Sequence, residues 1–439
     1  MKPRNLEESA VFYCITGTYI LYVLGAQFIV VPLMSWLLTL YLIKKLWQQT
    51  EQTPEQERIS VPIGVWVWII SLAVIEVALI VGHIDFNRGL TTIIKRSINA
   101  FARTWLLYAL LPLIGCLNIR KELIYRAVCI LCIQSLVLVP FCYYSPQMGL
   151  DSWLYDSVLA KVGGVGNIYY RVRLYVPEGG LTRLVLFAPW APILGLVGNL
   201  YFILTTQESN KTLKLLGMTG AAAMAWSSGS RAAQICLIGM PILSWLLVRL
   251  SKPAVQLTAA FASILAGFFG NRLINWAENF KAYFDSMRDT ADESSLERKL
   301  LQRITRYHWW NDARIWGHGA VREGPALINF QTLGSHHTWN GLLYIHGIVG
   351  FAAFAFAFAW TTAELFIKSH YSRTARVGLS IILVIFFFTF VDTLGTPIYT
   401  FWPSLIILGI AFKEKLKNPF EPKEEIINNN RARSEVVKL

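Results

Sequence analysis

The chain has 439 residues, of which 54% are hydrophobic and only 15% charged, with a mean hydropathy of +0.45. Soluble domains carry about 25% charged residues, so this apolar content exceeds what a soluble core of ordinary size can bury. The composition excludes an ordinary soluble enzyme and predicts an all-α polytopic membrane protein. Its net charge of +13 reads as the cationic bias of cytoplasmic loops, not as a nucleic-acid surface.

A membrane-crossing helix needs about 20 consecutive apolar residues. On that criterion about twelve spans are expected, near 10–25, 28–46, 62–82, 98–117, 123–143, 183–205, 211–227, 232–250, 254–271, 340–366, 375–391 and 396–412. The apolar run from Val11 to Ile43 is too long for one helix and is divided near Gly25-Ala26-Gln27. No cleavable signal is apparent, because no small-residue cleavage site closes a short apolar core. Lys44, Lys45, Arg120, Lys121, Arg126, Lys211, Lys214, Arg249, Lys252, Lys368, Arg373 and Arg376 fall in alternate connections. Such connections lie on the cytoplasmic side. Both termini join them there, which leaves connections 144–182 and 272–339 outside. The expected organisation is nine helices over 1–271, an extracytoplasmic helical loop domain over 272–339, three helices over 340–412 and a cytoplasmic tail over 413–439. The tail after Pro419 is polar and of mixed charge, and is expected to be poorly ordered. The six cysteines all fall in expected helices. Cys129 and Cys132 have no second pair or nearby histidines to make a zinc or redox site, so all six read as buried small apolar side chains.

In chain order, the first polar cluster is Tyr169-Tyr170-Arg171-Val172-Arg173, followed by Gly179-Gly180-Leu181-Thr182-Arg183 and then Pro189 and Pro192. Two prolines three apart in an apolar run should kink or unwind a helix, with Arg183 at its outer mouth as an anion-binding candidate. Next comes Trp226-Ser227-Ser228-Gly229-Ser230-Arg231 between two apolar runs. A Ser/Gly break before a helix start presents free backbone N–H groups and favours an anion. Arg231 stands at that start, where it either contacts a ligand or only anchors the helix end in the interface.

The interval 272–339 is a polar island between apolar stretches. Five of the seven histidines, His308, His318, His336, His337 and His346, fall in it or just after it. Leu296, Leu300, Leu301 and Ile304 have the spacing of an amphipathic helix with Arg298, Arg303 and Arg306 on its margins. Gly317 and Gly319 suit a tight turn with close backbone approach. The island closes on Gly334-Ser335-His336-His337-Thr338-Trp339, where a histidine meets the point of helix entry. A neutral imidazole there can take a proton from a hydroxyl. His318, His336, His337 and His346 lack a compact two-histidine spacing and a supporting carboxylate close by, so no metal site is expected.

The order Ser-Gly-Ser-Arg (228–231), Arg298, Gly-His-Gly (317–319) and Gly-Ser-His (334–336), before an apolar helix carrying Gly347 and Gly350, resembles the O-antigen ligase and polysaccharide polymerase superfamily. These are WaaL-type ligases and Wzy-type polymerases, membrane glycosyltransferases of the GT-C class. The resemblance covers about residues 165–415 and is strongest over 228–350. It implies about twelve helices with one large periplasmic loop domain between helices 9 and 10, in the bacterial cytoplasmic membrane. It also implies a polyprenyl (undecaprenyl) diphosphate-linked glycan donor and an inverting transfer needing neither metal nor cofactor, with a chain-length regulator or other polysaccharide-assembly proteins as partners. Carried over, the essential histidine matches His336, with His337 in a position often serine or asparagine in relatives. The functional arginines match Arg231 and Arg298, with Arg303 and Arg306 near the second place. Arg183 is a third candidate diphosphate contact, and Ser230, His318, Gly317 and Gly319 are supporting positions. The acceptor is a lipid-linked repeat unit in a polymerase, the favoured reading, or a lipid A-core sugar in a ligase. A polytopic transporter is the remaining alternative; against it stands the absence of any repeat relating the two halves.

Overall fold

A computed structural model describes residues 2–54, 58–163, 166–178, 181–249, 253–286 and 291–414. The tail after Pro419, expected to be poorly ordered, lies outside the described residues. The first half comprises α1 (Leu6–Thr16), α2 (Thr18–Val23), α3 (Gln27–Gln48), α4 (Ile63–Asp85), α5 (Leu90–Arg96), a π-helical stretch Ser97–Trp105, α6 (Leu107–Ile114) and α7 (Lys121–Tyr144). Then follow β1 (Trp153–Asp156), α8 (Ala160–Gly163), β2 (Arg171–Arg173), β3 (Tyr175–Glu178) and β4 (Leu181–Leu184). The rest is α9 (Ala191–Thr205), α10 (Lys211–Ser227), α11 (Arg231–Arg249), α12 (Pro253–Phe268), α13 (Gly270–Ser286), α14 (Ala291–Asp312), α15 (Thr338–Ser369), α16 (Arg373–Thr389) and α17 (Ile398–Phe412).

Every expected apolar interval meets a helix. Among the described residues, α3, α4, α7, α11 and α15 are each long and apolar enough to cross a membrane, and counting each of two bent pairs as one span brings the number up to seven. Helices α9 and α17 are apolar but shorter. The outward faces are apolar, the reverse of a soluble helix. Leu33, Leu37 and Leu40 on α3 are exposed at helical spacing, as are Ile63, Trp66, Ile70 and Val77 on α4. This is the surface of a helical membrane protein.

Two features depart from the expected all-α chain. Residues 153–184 hold two small antiparallel sheets, β1 with β2 and β3 with β4. The sixth apolar interval becomes helical only at Ala191, not at 183. Neither Pro189 nor Pro192 can donate a backbone hydrogen bond, but Pro192 fits in the first helical turn, where no donor is required. The prolines therefore start α9 instead of kinking it, and Arg183 lies on a strand. The six cysteines carry no disulfide among the described residues; five are buried and Cys14 is half-buried.

Polar side chains join the helices through the apolar interior, where each unpaired group would be costly. Trp68 Nε1 donates to Thr361 Oγ1 at 2.9 Å, tying α4 to α15, and Tyr201 OH donates to the Thr400 carbonyl at 2.8 Å, tying α9 to α17. Around Trp68 the rings of Tyr108, Phe354 and Phe358 pack with centroids 5.3–5.7 Å away. One end of the bundle carries ion pairs between basic residues and buried carboxylates, Arg120 with Glu8 at 2.6 Å and Arg126 with Glu208 at 2.7 Å.

Helix α15 is broken at Gly347, whose φ of +62° and ψ of −166° only glycine adopts readily. The break frees backbone groups that must be paired elsewhere. Residues 314–319 pair them. Ile348 N–H donates to the Arg314 carbonyl at 2.9 Å, and the N–H groups of His318 and Gly319 donate to Tyr344 and Ile345 at 2.8 and 2.9 Å. A Cβ on Gly347 would lie 2.1 Å from the Ile315 carbonyl oxygen. Gly347→Ala is therefore expected to cost upwards of about 3 kcal/mol. Gly239→Ala in α11, where an added Cβ meets nothing within 4 Å, should be neutral or stabilising by about 0.5–1 kcal/mol. Thermal unfolding of the two purified variants checks this contrast; a stable Gly347→Ala protein would remove the structural role given to the break.

Candidate active site

The site forms at the bundle end opposite those ion pairs, where the starts of α9 and α15 meet the α16–α17 turn. Asp392 in that turn is 5% exposed. Its Oδ2 accepts a hydrogen bond from Trp190 Nε1 at 2.6 Å, and its Oδ1 accepts from Thr393 N–H at 2.7 Å. Its backbone carbonyl accepts from Thr338 Oγ1 at 2.6 Å, and Leu394 N–H donates back to that hydroxyl at 3.0 Å. Trp190 is the N-cap of α9 and Thr338 the first residue of α15, so one aspartate fixes three chain segments.

His336 lies within electrostatic reach of both Asp392 and Arg298. Burial pushes its imidazole below the ordinary 6.5; the Asp392 carboxylate opposes this and the Arg298 guanidinium adds to it. Burial pushes the Asp392 carboxyl above its ordinary 3.8, against the pull of His336, Thr393, Trp190 and Arg298. The imidazole is therefore neutral at neutral pH, the form that accepts a proton. His336 has a φ of +59°, a left-handed conformation that costs a non-glycine residue roughly 1–3 kcal/mol and is met most often where function fixes a side chain.

His337 has a different occupation. Its Nδ1 accepts a hydrogen bond from Asn340 N–H at 3.3 Å, so it is the N-cap of α15. Burial, with Arg306 adding to it, holds it below the ordinary value and so favours the neutral form that such a cap requires. Serine and asparagine cap helices in the same way. Geometry thus separates the two adjacent histidines that the sequence leaves together.

Helix α14 lies over the loop that leads to His336. Leu301 is fully buried with Ile328, Leu333 and Tyr344, and Thr305 Oγ1 accepts from Gly334 N–H at 3.2 Å. Glu297 accepts from Asn329 at 2.5 Å and Gln331 at 3.2 Å. With 3.6 residues per turn, each residue turns the helix by about 100°, which sets Arg298 about 40° from the middle of the Leu301–Thr305 face. Arg306 then stands about 120° away and Arg303 about 180° away. Of the three, Arg298 stands nearest that face and within electrostatic reach of His336 and Asp392; Arg306 is within electrostatic reach of His337, and Arg303 is exposed.

Arg231 opens α11, and Ser230 caps it by accepting from Ala233 N–H at 3.4 Å. Gly229 turns the chain between α10 and α11 with a φ of +60°. A Cβ there would lie 3.0 Å from Arg183 Cγ. Arg183 crosses this turn, 4% exposed, donating to the Ser228 carbonyl at 2.9 Å and pairing with Glu178. Its guanidinium therefore holds the β3–β4 hairpin on the turn. The turn packs on Gly195 of α9, where an added Cβ would lie 2.9 Å from Ser228 Oγ. Gly195 is five residues beyond Trp190, about 7.5 Å along α9. The Ser228–Arg231 turn and the Asp392 cluster thus share the first turns of one helix.

His318, Gly317 and Gly319 are placed otherwise. Gly317 and Gly319 form the bracket on the broken α15, and the His318 ring is sandwiched between Tyr344, 4.2 Å away, and Phe86, 4.9 Å away. Their contacts assemble the scaffold beneath the site. Among the described residues no three His, Cys, Asp or Glu side chains group where they could hold a metal ion. Asp392, Trp190 and Thr338 were not singled out by the sequence reading. Asp392 is nonetheless the only acidic residue between Glu364 and Glu414, and a lone carboxylate between two apolar runs is a functional signal in a membrane protein. No protein-family model matches the chain, and no curated protein matches it at a significant level.

Proposed function

We propose that the protein is an inverting glycosyltransferase that moves a glycan from a polyprenyl diphosphate donor to a sugar hydroxyl at the outer face of the bacterial cytoplasmic membrane. The favoured acceptor is a second lipid-linked repeat unit, which makes the enzyme a polysaccharide polymerase. The observation that carries the reading is the half-buried His336, held in a left-handed backbone conformation within electrostatic reach of the buried Asp392 and of Arg298. Motif order adds the family to this chemistry.

In this reading His336 accepts the acceptor hydroxyl proton as its oxygen attacks the anomeric carbon. The new C–O bond forms as the sugar–phosphate bond breaks, and the diphosphate leaves with the electron pair. Asp392, held by Trp190 and Thr393, stabilises the imidazolium that forms. Arg298 and Arg231 balance the charge developing on the leaving diphosphate, and such fixed cations act more strongly away from bulk water. Arg183 supports this by shaping the turn that presents Arg231. The reading also places both termini and the basic end in the cytoplasm, with twelve spans in all. Thiol labelling from outside intact cells should then modify Arg303→Cys and not Lys44→Cys; the opposite pattern inverts the topology.

His336→Ala should lower donor turnover by a factor of about 10²–10⁴ while the protein still folds and inserts. His337→Asn should keep most activity because asparagine also caps a helix. Turnover of a lipid-linked glycan by the two purified variants checks this. Full activity of the first would sink the mechanism.

The pH profile gives an independent check. A base acts in its deprotonated form, so activity is lost as pH falls through the His336 pKa, and the acid limb of kcat/KM should have its midpoint below 6.5. Asp392→Asn removes an influence that raises this pKa and should move the limb to lower pH. Arg298→Gln removes one that lowers it and should move the limb higher. Shifts in the same direction in both variants would mean that another group titrates.

A further inference from the structure

At the bundle end opposite His336, a cavity of about 290 Å³ opens between α9, α11 and α16. Its rim carries Arg249, Arg373 and Arg376, and among the described residues no aspartate or glutamate lines it. The nearest acidic neighbour in sequence, Glu208 beside the lining residue Gln207, is already paired with Arg126 at 2.7 Å. Arg373 donates to Gln207 at 2.9 Å, and Arg249 lies over the Trp245 ring at 4.5 Å. The Arg376 side chain makes no hydrogen bond or ion pair with a described residue. On the floor, Ser244 and Ser380 meet hydroxyl to hydroxyl at 2.6 Å, and the walls are apolar, with Phe202, Pro241 and Val377 among them.

We propose that this cavity binds an anionic glycerophospholipid, with the phosphate among the three arginines, the glycerol against the serine pair and an acyl chain along α11. Three cations without a carboxylate call for an anion. The apolar walls call for a hydrocarbon tail, which a free phosphate does not have. Helix α11 points to the lipid source as well. Only 17% of its apolar stretch is buried inside the protein, against 33–44% for the other four long apolar helices, and Ile242 and Trp245 stand exposed beside the cavity. Basic pockets between helices at a membrane face suit such headgroups. The proposal does not depend on the transfer reaction, since neither His336 nor Asp392 takes part.

Native mass spectrometry of the full chain in maltoside detergent tests it, with titrations of dioleoyl-phosphatidylglycerol and dioleoyl-phosphatidylcholine and with inorganic phosphate as competitor. One phosphatidylglycerol should bind in preference to phosphatidylcholine, and excess phosphate should not displace it. Arg376→Gln and Arg249→Gln should each weaken binding about fivefold. Lys44→Gln, a basic change at the same end but outside the cavity, should leave it unchanged. Arg376→Gln breaks no side-chain bond to a described residue; if it nonetheless failed to fold, Arg249→Gln would carry the comparison. Equal retention of the two lipids, displacement by phosphate, or equal weakening by Lys44→Gln would each overturn the proposal.

Discussion

Asp392 is a buried carboxylate at the end of an apolar bundle, and the arrangement around the site follows from keeping it bonded. An unpaired carboxylate in such surroundings costs several kcal/mol. Here one oxygen is bonded by Trp190, the other by the Thr393 N–H, and the backbone carbonyl by Thr338. The side-chain bond from Trp190 docks the start of α9 on the α16–α17 turn, and the bond from Thr338 to the backbone carbonyl of the same residue docks the start of α15. The residues that serve the fold here are also those that stand beside His336.

A second constraint is the break in α15. A helix interrupted at Gly347 exposes backbone donors and acceptors, and the 314–319 strap meets them with its own backbone. That contact needs glycine on both sides, which explains Gly317 opposite Gly347 without any appeal to a ligand. It also anchors one end of the segment that runs on to His336. The other end is anchored where Thr305 of α14 takes the Gly334 N–H. The loop carrying the candidate base is therefore held at both ends by polar bonds.

Much of the helical layout was legible because apolar runs of span length have few other uses. The division at Gly25 and the turn at Ser228–Arg231 were legible for the same reason: small and polar residues interrupt a run only where the chain turns. The β3–β4 hairpin was not legible, since four-residue strands leave too short a period to stand out. The start of α9 was misplaced because Pro192 signals a helix start and a kink equally well until its neighbours are known. At the site, His336 stood out by position, but its partner Asp392 lies 56 residues further on, and nothing local joins them. The choice among Arg298, Arg303 and Arg306 needed the buried face of α14, which only Leu301 and Thr305 define.

The left-handed backbone at His336 connects these constraints. A strained conformation persists only where its surroundings over-determine it. Gly334 is pinned by Thr305, His337 is committed to capping α15, and Thr338 is locked to Asp392 and Leu394. Between those fixed points His336 has little backbone freedom left, and its ring makes no hydrogen bond to a described residue. Its neighbours do the structural work, which leaves the imidazole nitrogens uncommitted to the fold. A side chain positioned in this way loses little entropy when it meets a hydroxyl, and that favours proton transfer in a fixed geometry over simple packing.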